Sequence, residues 1–328
     1  MAAEAHRDPA RRRWRGHRRP GQRACFSTVV DVRAFVTGGT GFVGTWLRRH
    51  LSACGDAVSL LAEEIDVRNG PEVAAAVHDE APDVIYHLAG LAHVGRSWDT
   101  PEETTAVNVL GTLSVLEAAR RSARPPVVLL VSSAEVYGTG EGQPFDEEAA
   151  LRPVSPYAAS KAAAEFLGLQ AAIGRHLPVV RVRPFNHVGP GQSPDFVVSA
   201  LARRIALAEL AGGGEVTVGN LTPRRDLTDV RDIVRAYRML AETGESGAAY
   251  NVCSGTAVAV SAVVEKLCAL AKSTVRIVED PALIRPVDVP VLAGDCGRLR
   301  ALTGWAPTIA LEDTLADVLE YWREQLRR

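Results

Sequence analysis

Tyr157 and Lys161 stand four residues apart in Ser155-Pro156-Tyr157-Ala158-Ala159-Ser160-Lys161. On a helix that spacing puts both side chains on one face, about 5–6 Å apart at Cβ. Ser155 is a good N-cap and Pro156 suits the first helical position, so a helix begins here. A cation held beside a phenol favours the phenolate and pulls the tyrosine below its usual pKa of about 10. Such a pair is a proton donor or acceptor for interconverting a hydroxyl and a carbonyl. The same spacing also fits an ordinary surface helix, so the chemistry has to be argued from the rest of the chain.

The second constellation is Thr37-Gly38-Gly39-Thr40-Gly41-Phe42-Val43-Gly44. Gly38, Gly41 and Gly44 join an apolar strand (32–37) directly to a helix (42–54). Glycines there permit a tight turn and a close backbone approach to a pyrophosphate lying on the positive end of the helix. At a first strand–helix junction this pattern signals a dinucleotide site. An acidic residue about 20 positions on normally bonds the adenosine ribose. Glu63 is the candidate, although Ala62 competes for the strand-end position, so NAD and NADP both stay open. Asp66 and Val67 follow at a place suited to the adenine. Ala89 and Gly90, behind Leu88 and a buried strand, are small enough for a backbone to lie against a cofactor, and Asn108 stands in the next helix. Ser133, at the end of the fourth strand, is placed to hydrogen-bond a substrate oxygen, with Glu135 two residues on.

The elements that position these residues alternate. Buried strands are expected at 32–37, 58–61, 84–88, 127–132 and 179–182, and helices at 42–54, 102–120 and 157–173. That alternation predicts an α/β fold, a doubly wound parallel-sheet Rossmann domain. Beyond Pro184 the pattern loosens around helices at 197–210, 230–240, 260–271 and 311–326. This part reads as a smaller C-terminal α/β lobe over the carboxyl edge of the sheet, where ligands bind in such folds. The expected division is a dinucleotide-binding domain at 31–185, with 226–254 returning to it, and a substrate lobe at 186–225 and 255–328.

The chain has 328 residues, 47% hydrophobic and 23% charged, as expected for a globular protein with a substantial core. No run of about 18 apolar residues exists, so no membrane partner is expected. Five scattered cysteines form no Cys-x-x-Cys pair, which argues against a zinc site or a disulfide framework and favours the cytoplasm. Residues 1–28 carry a formal charge of +6 and the remainder −8. The acidic body argues against nucleic acid as a partner. The first 30 residues, rich in Arg, Ala and Pro, read as a disordered, non-functional leader, with the natural protein beginning near Val29. No metal site is expected.

Together the glycine loop, Asp66-Val67, Ser133 and Tyr157-x-x-x-Lys161 resemble the extended short-chain dehydrogenase/reductase superfamily, over nearly everything from Val32 onwards. The stretches Arg183 to Phe196 and Gly219 to Asp232, with Arg152-Pro153-Val154 and Arg285-Pro286-Val287-Asp288, are most similar to GDP-4-dehydro-6-deoxy-D-mannose reductases. Close relatives are GDP-mannose 4,6-dehydratases and nucleotide-sugar epimerases. The resemblance implies NAD(P)H-dependent reduction of the C4 keto group of GDP-4-dehydro-6-deoxy-D-mannose to GDP-D-rhamnose. It implies that Tyr157 is the proton donor, that Lys161 holds the nicotinamide ribose and that Ser133 bonds the C4 oxygen. Cofactor contacts are implied for Phe42, Val43, Leu88 and Pro184 as well. Asn186 matches a position touching sugar or phosphate, and Arg225 and Arg285 match arginines on the substrate diphosphate. Arginine's planar fork suits that task. His187 is expected to shape the site rather than to act as an acid or base. Glu135 matches the carboxylate that dehydratases use to eliminate water, which keeps dehydration open, while Ala134 beside it favours the reductase. A homodimer built from the helices at 102–120 and 157–173 is also implied. A non-catalytic cofactor sensor is the remote alternative, and the intact Ser133, Tyr157 and Lys161 argue against it.

Overall fold

The computed structural model describes residues 32–140, 144–283 and 289–328; the N-terminal segment expected to be disordered and Arg285 lie outside the described residues. The chain opens with β1 (Arg33–Thr37), α1 (Phe42–Ala53), β2 (Ala57–Leu60), α2 (Gly70–Glu80) and β3 (Val84–His87). A helical rod follows in three pieces: α3 (Pro101–Thr105), a π turn at Ala106–Leu110, and α4 (Gly111–Arg121). Next come β4 (Val127–Val131), α5 (Pro156–Arg175), β5 (Val179–Pro184), β6 (Asn186–Val188) and α6 (Val197–Leu210). β7 (Gly214–Val218), β8 (Arg224–Asp229), α7 (Val230–Thr243) and β9 (Ala249–Val252) continue the chain. It closes with β10 (Ala257–Ala259), α8 (Val260–Ala269), β11 (Val275–Glu279), β12 (Val291–Leu292), α9 (Gly297–Thr303) and α10 (Leu311–Arg327).

Six strands form one parallel sheet in the order β2-β1-β3-β4-β5-β9. Both faces are covered, which is why the inner strands β3 and β4 are almost wholly apolar rather than alternating. Ala34 and Val36 pack with Leu47, Ile233 and Leu240 on the face of α1 and α7. Phe35 and Ile85 pack with Val73, Val77 and Val115 on the face of α2 and α4. Strand order reverses between β1 and β3, so a crevice opens at their carboxyl ends, where such sheets take ligands. A second core lies behind that edge, formed by α6, α8 and α10 against Val216, Val218 and Leu227. In this lobe β8 is flanked by β10 and β12 and also pairs with β6, while β7 and β11 form a separate parallel pair.

The rod at 101–121 departs from the single helix the periodicity predicts. Thr112 Oγ1 donates to the Asn108 carbonyl at 2.7 Å, a side-chain bond that competes with the regular ladder. The π turn sits there, as such turns often do beside functional sites. Helix α2 has no counterpart among the sequence expectations, because Val73 and Val77 are its only fully buried side chains.

Candidate active site

Gly38 has φ +68°, a conformation that disfavours any side chain. A Cβ there would lie 2.7 Å from the Ala89 nitrogen, so the loops after β1 and β3 touch backbone to backbone. At Gly44 a Cβ would lie 2.7 Å from Gly39 Cα, and its absence lets α1 start against the turn. At Gly41 a Cβ would meet only the Gly38 oxygen, at 3.4 Å, with open space beyond. Gly41 also leaves the start of α1 without a side-chain cap. The three glycines thus make a cradle over a helix N-terminus, which fits a diphosphate.

Its surroundings match the sequence expectations unevenly. Phe42 stacks on His187, with centroids 6.1 Å apart and planes 14° off parallel, and Val43 is half-buried beside it. His187 Nδ1 meets the Phe185 carbonyl at 3.2 Å, and burial lowers its pKa, in keeping with a shaping role. Glu63 is exposed on the turn after β2. The Asp66 carboxylate is held by Arg68, whose Nε lies 3.0 and 2.9 Å from its two oxygens. Val67 is buried in the notch left by Gly111, while Asp66 stays exposed. Leu88 and Ala89 are half-buried at the crevice and Gly90 is exposed.

Asn108 is buried and bonded on both sides. Its Oδ1 accepts from the Leu91 nitrogen at 2.8 Å, and its Nδ2 donates to the Leu91 carbonyl and to Ser160 Oγ at 3.1 and 2.8 Å. Ser160 in turn donates to the Tyr157 carbonyl at 2.7 Å. Helix α5 begins as expected, with Ser155 accepting from the Ala158 nitrogen at 3.1 Å and Pro156 in its first turn. Ser97 Oγ accepts from the Tyr157 nitrogen at 3.1 Å. Further along α5, the buried Glu165 takes Arg181 at 2.8 Å and Arg183 at 3.0 Å, fastening the helix to β5.

Tyr157 and Lys161 are both buried at the head of α5. The Ser133 hydroxyl hydrogen-bonds the Tyr157 phenol, and Ser133 also accepts from the Glu135 nitrogen at 3.2 Å. The expected lowering of the tyrosine's pKa is not found. Burial pushes Tyr157 up to about 12, against the Ser133 hydrogen bond and with help from the Glu135 charge. Lys161 is itself brought down to about 8 by burial, and its Nζ donates to the Val131 carbonyl at 2.8 Å. Desolvation of the phenolate is the largest cause of the rise, and Lys161 does not offset it.

On the far side, Pro184 ends β5 in the core, and Asn186 opens β6 with its Oδ1 buried and unpaired among the described residues. Ser132 Oγ is in the same condition. Arg225, on β8, donates to the Val289 carbonyl at 2.7 Å. Among the described residues no group of His, Cys, Asp and Glu could hold a metal. None of their helices is long and apolar enough to cross a membrane. The buried residues Thr37, His87, Thr112 and Ser160 escaped the sequence reading. A polar residue closing each of two otherwise apolar strands, Thr37 on β1 and His87 on β3, was the signal available.

The family model described as GDP-mannose 4,6 dehydratase matches residues 59–318, most of the chain. The chain belongs to the GDP-mannose 4,6-dehydratase family. It is 37% identical to GDP-6-deoxy-D-mannose reductase of Pseudomonas aeruginosa, over 91% of this chain and 99% of that one. It is 31% identical to UDP-glucose 4-epimerase of Mycolicibacterium smegmatis, over 90% and 99% of the two chains. Among solved structures, RMD from Pseudomonas aeruginosa complexed with NADPH superposes with a TM-score of 0.83. That match has 36% identity and covers 90% of this chain and 99% of the other. Both the superfamily resemblance and the doubly wound fold expected from the sequence are borne out, and this family is one of enzymes.

Proposed function

We propose that the chain reduces the C4 keto group of GDP-4-dehydro-6-deoxy-D-mannose to GDP-D-rhamnose at the expense of NADPH or NADH. What carries the reading is the 37% identity to a GDP-6-deoxy-D-mannose reductase across nearly the whole of both chains. The intact Ser133, Tyr157 and Lys161 at one end of the crevice support it. In this reading Gly38, Gly41 and Gly44 cradle the dinucleotide diphosphate, and Asn108 fixes the loop over it. A bound dihydronicotinamide supplies the hydride. Tyr157 donates its phenolic proton to the C4 oxygen, and Ser133 hydrogen-bonds the same atom where charge develops. Burial keeps Tyr157 protonated through neutral pH, which is the state a proton donor needs. Lys161 spends one of its three donors on Val131 and offers the others to the phenolate and the nicotinamide ribose. The lobe around β6 and β8 takes the nucleotide sugar, with Asn186, Arg225 and Arg285 on its sugar and diphosphate.

Partner and compartment follow the same reading. A homodimer through the π turn, α4 and α5 is supported by their exposed apolar residues Leu110, Leu113, Phe166 and Ile173. The cytoplasm is supported by the free cysteines Cys54, Cys253, Cys268 and Cys296.

A second reading, 4,6-dehydration of GDP-mannose, is favoured by Glu135, whose charge reaches Tyr157. The two differ in stoichiometry, because a dehydratase recycles its cofactor. Incubation of the protein with the keto sugar and NADPH, and separately with GDP-mannose, separates them. Net NADPH oxidation with the keto sugar alone supports the reductase. Conversion of GDP-mannose without net oxidation overturns it in favour of the dehydratase.

A further inference from the structure

A chain of buried hydrogen bonds runs through His87, and its direction is fixed at the Thr112 end. The Ala89 N–H donates to Thr37 Oγ1 at 3.2 Å. Thr37 Oγ1 lies 2.8 Å from His87 Nδ1, and His87 Nε2 lies 3.1 Å from Thr112 Oγ1. Thr112 Oγ1 is 2.7 Å from the Asn108 carbonyl, which can only accept, so the Thr112 hydroxyl donates there. It must then accept from Nε2–H. A neutral imidazole protonated at Nε2 accepts at Nδ1, and the Thr37 hydroxyl supplies that proton. A second proton on the ring would turn both nitrogens into donors and leave the Thr37 hydroxyl without an acceptor. Burial and the Lys161 charge oppose that proton too, and hold His87 near a pKa of about 3.

The four partners belong to four elements. Thr37 closes β1 at the glycine loop, Ala89 follows β3, Thr112 stands in α4, and Asn108 lies in the π turn. Asn108 passes the connection to Ser160 and so to the head of α5. A Cβ at Gly90 would lie 2.6 Å from Asn108 Oδ1 and 3.7 Å from Lys161 Nζ, so the loop after β3 is folded tightly over that junction. We propose that His87 is a positioning residue: through Thr37 and Thr112 it fixes the glycine loop against the Asn108 turn, and so sets where Tyr157 and Lys161 stand over a dinucleotide. This rests on the reading of the glycine loop as a dinucleotide site.

The two ends of the chain predict different losses. Thr37→Val breaks the end at the glycine loop and weakens NADPH binding about tenfold, the loss of roughly one buried hydrogen bond. Thr112→Val breaks the end at α5. It leaves the NADPH dissociation constant within about threefold and lowers kcat by about tenfold or more, because misplaced reacting groups are costly. Thr112→Ser, which keeps the hydroxyl, restores kcat. Nitrogen NMR of the imidazole in the full chain gives a readout independent of substrate. It should report the neutral Nε2–H form of His87, unchanged between about pH 6 and 9. A ring that titrates in that range, or is protonated at Nδ1, overturns the proposal. So does a folded Thr112→Val protein with wild-type kcat and NADPH affinity, whatever its melting temperature. If Thr112→Val does not fold, the NMR result and the kcat of Thr112→Ser decide. Failure of the wild-type chain to bind NADPH instead removes the dinucleotide reading and leaves the tautomer result standing.

Discussion

Two sets of buried polar side chains are built in opposite ways. Around β1, β3 and α4, the side chains of Thr37, His87, Thr112, Asn108 and Ser160 are all hydrogen-bonded to protein. Beyond the ends of β4 and β5 and on β8, Ser132 Oγ, Asn186 Oδ1 and Thr228 Oγ1 are buried without a partner among the described residues. Each such group costs about 1–3 kcal/mol while it stays unpaired. The first region offers a ligand little beyond backbone and a helix end, as suits a diphosphate cradle. The second holds hydroxyl and amide groups in reserve, as suits a polyhydroxylated ligand. In the proposed function the satisfied scaffold belongs to the cofactor side and the unsatisfied receptor groups to the substrate side.

Losing Tyr157 gives the largest effect. Tyr157→Phe should lower keto-sugar reduction by about 10²–10⁴-fold, the usual worth of general acid catalysis, with NADPH binding retained in a fluorescence titration. Gly38→Ala strikes the scaffold alone. Its side chain is strained at φ +68° and meets the Ala89 backbone, so NADPH affinity should fall about tenfold or more and the melting temperature should drop. Asn186→Leu strikes the receptor alone. It should raise the sugar KM about tenfold yet leave the melting temperature unchanged or higher, because it removes an unpaired buried acceptor. A Gly38→Ala protein with normal NADPH affinity, or an Asn186→Leu protein that melts early with a normal KM, would break the comparison.

The smallest effect is the pH response of Lys161. Burial lowers its pKa to about 8 in the folded protein, so its charge is lost as pH rises through that value. The kcat/KM for reduction should fall a few-fold above about pH 8, well before Tyr157 ionises near 12. Stability moves the other way. Between about 8 and 10.5 the unfolded chain still holds the proton the folded one has released, so this group's contribution to stability rises with pH. Denaturant titrations at a series of pH values measure that slope.

What was legible in the sequence was local. The glycine loop is turn chemistry, and the Tyr157–Lys161 pair is helical spacing opened by an N-cap, so both could be read from a few adjacent residues. The role of His87 could not, since Thr37 lies 50 residues before it and Thr112 25 residues after it; the pairing of β1 with β3 brings in the first and the packing of α4 on β3 the second. The π turn escaped for a similar reason, because one threonine hydroxyl competes for a carbonyl inside an otherwise helical pattern. The rise in the Tyr157 pKa was missed because burial belongs to the whole fold, whereas a cation four residues away is visible in the chain. The unpaired Asn186 oxygen depends on β6 lying beside β8, which no local pattern announces.

The central claim is hydride delivery to the sugar by a consumed cofactor, with Tyr157 as acid. It is tested most directly with NADPH deuterated at its transferable position and GDP-4-dehydro-6-deoxy-D-mannose. The account predicts deuterium at C4 of the GDP-deoxysugar product, with one NADPH oxidised for each product formed. Product without deuterium at C4, or turnover without net NADPH oxidation, would contradict it.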